Sequence, residues 1–90
     1  GPSRHRDVVL ARSITAYLAR KLTTKSFPEI ARAMGRTNHS TIVTAVQRIE
    51  RQLTKDTTVV VRDADAPVSL RYIIDSLRVA LTRTRPALNS

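Results

Sequence analysis

Between Gly35 and the apolar position Ile42 the chain reads "GRTNHST", four short polar side chains around one histidine. Side chains of this kind suit contacts to the edges of bases. Asn38 can make a bidentate contact to adenine N6 and N7, His39 can donate to or accept from a base, and Ser40 and Thr41 can reach a base or a phosphate. The Thr41 methyl can also touch a thymine methyl. Asn38 has a competing local use, as an N-cap side chain bonded to amides of its own helix, and both uses stay open. His39 has the alternative of an exposed surface histidine. A metal or catalytic role is disfavoured, because no carboxylate or second histidine lies at helical spacing and His5 is remote in sequence.

A reading head needs rigid elements behind it. After Asp7, a candidate cap, Leu10, Ile14, Tyr17, Leu18 and Leu22 recur at three- and four-residue steps, which predicts a helix over 8–22. "SFPE" announces the next one: Ser26 caps, Pro28 sits where a missing N–H costs nothing, and Glu29 closes a capping box. This helix, 27–34, turns Ile30, Ala33 and Met34 inward, and Gly35 ends it. Asn38 or Thr37 caps a third helix over 39–53, with Ile42, Val46, Ile49 and Leu53 on one stripe and Gln47, Arg48, Glu50 and Arg51 facing away. Two helices joined by a short turn containing glycine have the sequence form of a helix-turn-helix. Further on, "TVVV" within "TKDTTVVVRDADAP" suits a short extended segment or an ordered loop. Asp65 and Pro67 open a last helix, 67–83, striped with Leu70, Ile73, Ile74, Leu77 and Leu81, and Pro86 lies beyond its end. The fold class expected is all-α, a small helical bundle containing a helix-turn-helix.

Ninety residues make one domain, too small to shape a deep catalytic cleft besides its core. Sixteen Lys and Arg face seven Asp and Glu, a net charge of +9, and thirteen of the cations are arginine, whose planar fork suits phosphates and base edges. Residues 1–53 hold ten of the cations and three of the anions, so the field concentrates on the helix-turn-helix half. Nucleic acid is the first partner this implies, ahead of an acidic membrane surface. Arg4 and Arg6 flank His5 ahead of the first expected helix, as a solvated tail or as a basic arm for a minor groove. Absence of cysteine excludes a disulfide scaffold and fits a reducing compartment, and no apolar run reaches transmembrane length. A cytoplasmic location is expected. Gly1, Pro2 and Ser3 read as a protease-cleavage scar, residues 4–53 as a DNA-binding core, and 54–90 as a loop and helix packed on that core in the same domain. With Gly1 and Gly35 the only glycines, a P-loop is impossible, so no cofactor is expected in this chain.

The stretch "LARSITAYLARKLTTKSFPEIARAMGRTNHSTIVTAVQRIERQL" resembles the C-terminal DNA-binding domain of the bacterial replication initiator DnaA, over about residues 4–53. The resemblance lies in an Arg-rich first helix, a Leu-Thr turn, a Ser-x-Pro-Glu-Ile helix start and a Gly-x-x-Asp-His-Thr-Thr reading head. It implies recognition of short duplex boxes at a replication origin by a helical domain of that type. By position, Arg4 matches an arginine that enters the minor groove, and Asn38, His39 and Ser40 match the triplet that reads the major groove. Phosphate contacts fall on Arg12, Ser13, Arg20, Pro28 through its neighbouring backbone, Thr41 and Arg48. The chain departs from the pattern at Ser13, where Gln is usual, at Thr37 for Arg, at Asn38 for Asp and at Ser40 for Thr. A box related to the family's but shifted or relaxed at one or two positions is the expectation.

The leading expectation is sequence-specific binding of double-stranded DNA for replication initiation, with other initiator copies as partners through other segments. The alternatives are a DnaA-like domain in a transcriptional regulator or mobile-element protein, an RNA-binding module, and a helical protein-interaction module. No feature supports an enzyme.

Overall fold

The computed structural model describes residues 2–89, with side chains placed for residues 5–83. In chain order the elements are α1 (Pro2–Leu22), α2 (Phe27–Ala33), α3 (Ser40–Thr54), the strands β1 (Thr58–Val59) and β2 (Val68–Ser69), and α4 (Leu70–Asn89). They fall into two compact units, Gly1–Arg51 and Gln52–Ser90.

In the first unit α1 starts six residues earlier than the apolar stripe predicts, at Pro2. Proline is preset for a first helical turn, and nothing from Ser3 to Asp7 breaks a helix. Asp7 is therefore interior to α1 rather than its cap, and the backbone of the basic segment around His5 is helical. The Arg4 side chain, like those of Gly1 to Ser3, lies outside the described side chains.

The start of α2 is the expected capping box. Ser26 N–H donates to Glu29 Oε1 at 2.9 Å, and Glu29 N–H donates to Ser26 Oγ at 3.3 Å. The bond that the Ser26 N–H donates to it, with a further hydrogen-bond contribution from the Ser26 side chain, holds the Glu29 carboxyl below its ordinary pKa, with smaller help from Lys25 and Arg32. A carboxylate lowered in the folded state stabilises it above the ordinary carboxylate range, and that contribution is lost as pH falls through the folded value. Denaturation midpoints measured from neutral pH downward should thus drop less steeply for Glu29→Gln than for the parent chain.

The end of α2 is a Schellman motif. Gly35 takes φ +72°, its N–H donates to Arg32 O at 3.1 Å, and Arg36 N–H donates to Ala31 O at 2.8 Å. Inside the unit, α1 buries Ile14, Ala16, Tyr17 and Leu18, α2 buries Ile30 and Ala31, and α3 buries Ile42, Val46 and Ile49. α1 and α2 pack directly on one another. The inner face of α2 is one residue off the expectation: Ala31 is buried, whereas Ala33 is exposed and Met34 half-buried. A helix of only seven residues presents one turn's worth of inner surface, and the adjacent pair Ile30 and Ala31 fills it. At the surface Lys21 meets Glu50 at 3.5 Å, an exposed pair of small energetic weight.

In the second unit the chain leaves α3 through another Schellman motif. Asp56 takes φ 54°, its N–H donates to Leu53 O, and Thr57 N–H donates to Gln52 O at 3.0 Å. Short polar Asp tolerates this left-handed conformation better than most side chains do. "TVVV" then supplies β1, paired antiparallel with β2 in the register Thr58 with Ser69 and Val59 with Val68. This ladder moves the start of the last helix from the expected 67 to Leu70. Residues 68 and 69 are held extended by it, and Ser69 Oγ, not Asp65, accepts the capping bond, from Tyr72 N–H at 3.3 Å. Arg71 reaches Leu53 O at 3.2 Å. Of the expected stripe on α4, Leu70 and Ile74 are buried, whereas Leu77 and Leu81 are exposed. The helical backbone passes Pro86 instead of stopping before it. No glycine interrupts residues 70–85, and position 86 falls in the last turn, where the donor a proline lacks and the carbonyl it crowds bend a helix without having to end it.

Candidate nucleic-acid interface

The turn between α2 and α3 aims the head. Once Gly35 has reversed the chain, Asn38 folds back on the start of α3: its Oδ1 accepts from Ser40 N–H at 2.9 Å and from Ser40 Oγ at 2.8 Å. The backbone oxygen of Asn38 accepts from Thr41 Oγ1 at 2.9 Å. His39 stands at the N-cap position, its carbonyl accepting from Ile42 N–H at 3.0 Å and Val43 N–H at 3.1 Å. These bonds satisfy amides that the first turn of a helix leaves without partners. They also leave Asn38, His39, Ser40 and Thr41 exposed on one short segment.

Asn38 therefore caps. A carbonyl oxygen offers two lone pairs, and Ser40 occupies both, so the bidentate adenine contact is not available to this side chain as it stands. Below the head, Pro28, Ala31, Arg32, Arg36, Thr37 and His39 line an open cleft of about 350 Å³. Arg32 and Arg36, which no sequence motif singles out, share this cleft with His39. Their signal was positional: Arg36 follows the glycine of the Schellman motif directly, and Arg32 lies one helical turn before it.

The remaining candidates are placed as follows. Arg12, Pro28 and Arg48 are exposed, on α1, at the start of α2 and on α3. Ser13 is only 3% exposed and drops out as a phosphate contact, because a hydroxyl inside the core does not reach a phosphate. Position 13 lies beside Ile14 on the packed face of α1. Arg20 is held in place: its guanidinium lies 4.3 Å from the centroid of the Phe27 ring, and Nη1 donates to Lys25 O at 2.9 Å. Stacking on an aromatic ring and a bond to the turn carbonyl orient the fork before any ligand arrives. Arg20→Ala should lower the stability of the domain by about 1 kcal/mol in urea denaturation, while Arg20→Lys keeps the charge and loses the bond and stacking geometry. Equal stability of both variants and the parent would show that these contacts carry no weight.

Two short helices at a glycine turn, the second beginning in exposed polar residues, define a helix-turn-helix. The chain belongs to the bacterial dnaA protein helix-turn-helix family, whose model matches residues 1–49. Among curated proteins it is similar to the chromosomal replication initiator protein DnaA of Nitrobacter hamburgensis, 46% identical over 55 residues, covering 61% of this chain and 12% of that protein. The same-named protein of Deinococcus radiodurans is 46% identical over 56 residues, covering 62% of this chain and 12% of its own length. That of Limosilactobacillus fermentum is 39% identical over 56 residues, covering 62% and 13%. The chain thus spans about an eighth of the length of these relatives. No solved structure matches it significantly. Among the described residues no helix is long and apolar enough to cross a membrane.

Proposed function

We propose that this chain binds double-stranded DNA and reads short origin-type boxes in replication initiation. The observation that carries the reading is the exposed segment Asn38 to Thr41 at the start of α3, set by its own capping bonds on a family helix-turn-helix. His39 and Ser40 enter the major groove with Asn38, Arg4 lies in the adjacent minor groove, and Arg12, Arg20, Arg48 and the backbone beside Pro28 hold phosphates; Thr41, whose hydroxyl proton goes to the Asn38 carbonyl, joins them only by turning that proton to the phosphate. Arg32 and Arg36 add positive charge beside the groove-facing histidine. The names of the relatives, chromosomal replication initiator proteins, support the replication setting. No catalysis is assigned to these ninety residues. ATP binding and contacts with other initiator copies belong to other segments of a parent protein, which would act at the nucleoid in the cytoplasm.

Selection of the 90-residue chain against a random duplex pool, followed by sequencing, tests this. Enrichment of one short box related to the family's is the expected result. Retention of duplexes with no common sequence, or no retention at low salt, would overturn it. The exposed Tyr72, Val79 and Leu81 on α4 favour a second reading, in which the second unit docks a protein. Under that reading the +9 charge serves solubility and the selection returns nothing.

A further inference from the structure

The bonds around Asn38 determine which half of its amide remains for DNA. Ser40 N–H donates to it at 2.9 Å, and a backbone amide only donates, so the atom facing Ser40 is the carbonyl oxygen and not the amino group. The Ser40 hydroxyl then takes the second lone pair at 2.8 Å. What remains on this exposed side chain is Nδ2, with two N–H donors and no lone pair. Ser40, for its part, has committed its only hydroxyl proton to Asn38, so its oxygen meets any further partner as an acceptor.

We propose that Asn38 is a donor-only reading residue: it selects a base whose major-groove edge offers acceptors, above all guanine with O6 and N7, and rejects cytosine, whose edge there offers an amino group. The assignment rests on the reading above that residue 38 faces a base edge. It also gives the asparagine a meaning in hydrogen-bond sense. An aspartate at 38 has nearly the same shape and accepts the same two bonds from Ser40, but its second oxygen accepts where Nδ2 donates. The one-atom difference between the side chains leaves the cap intact and inverts the base that fits. Ser40, acting as acceptor beside it, fits an amino group, so residues 38 and 40 present opposite senses two positions apart.

The test compares the full chain with Asn38→Asp and Asn38→Ala on the box selected by the parent chain, with all four base pairs substituted at every position. Asn38→Ala locates the pair facing residue 38, as the position where base preference flattens. At that pair the parent should bind guanine about tenfold better than cytosine on the contacted strand. Asn38→Asp should reverse the order by a similar factor, with the other positions and the melting temperature unchanged. The same preference in the parent and in Asn38→Asp, or a parent that favours cytosine there, would overturn the assignment while leaving box recognition standing. A parent that selects no box overturns the reading beneath it and the assignment together.

Discussion

Ile49→Ala is expected to destabilise the first unit by about 3 kcal/mol, read as a shift in the urea midpoint with an unchanged slope. Ile49 has no exposed surface and closes the buried stripe Ile42, Val46 and Ile49. Truncation removes three carbons from a site that rigid helical neighbours keep from collapsing, so the lost transfer energy is joined by the cost of a cavity. Against a total of roughly 5–15 kcal/mol for a small domain, such a loss reaches half the stability at the low end. Ile49→Val, which deletes a single carbon, should cost about 1 kcal/mol. A change under about 1 kcal/mol for the alanine variant would mean that the stripe on α3 is not the centre of the core.

His39→Ala is expected to weaken binding to the selected box by about 1–3 kcal/mol and to leave binding to random duplex nearly unchanged. Its carbonyl is bonded into the helix start, which fixes the backbone, and no described residue bonds the ring. A loss confined to the selected box would then be that of a base contact and not of the fold. Arg48→Ala makes the contrasting case. An exposed arginine that holds a phosphate should weaken both kinds of duplex alike and reduce the salt slope by about one ion. Titrations on both duplexes at several salt concentrations separate the two patterns, and equal losses for His39→Ala on both would remove it from base reading.

Local chemistry was legible where it is written in neighbouring residues. Ser26, Pro28 and Glu29 announce a capping box, and the structure makes both of its bonds. Gly35 marks a helix end, and it sits in the left-handed region. The stripe of α3 was readable because fifteen residues hold a strong period. What escaped depends on partners distant in sequence. The start of α4 moved because β2 pairs with residues nine and eleven positions earlier, and a hydrophobic period carries no trace of a ladder. Position 13 was carried over by resemblance from a longer polar residue, and only packing reveals that serine there is enclosed. Arg32 and Arg36 share a cleft with His39 through the geometry of a turn, which charge counting spreads over the whole surface.

Gly35 carries one consequence for how such a domain can change. A Cβ at this position would meet nothing within 4 Å, so glycine is required here by the handedness of the backbone alone and not by lack of room. The chain already meets the same demand elsewhere with Asp56 and Asp63. Asparagine or aspartate is therefore an accessible neighbour of Gly35 in sequence space, at a modest local conformational cost borne equally with and without DNA. The apex of the turn is a vacant mounting point: a lineage can place a new polar group beside Arg36 and the reading helix there, and revise its reach along the duplex, without rebuilding the scaffold that aims it.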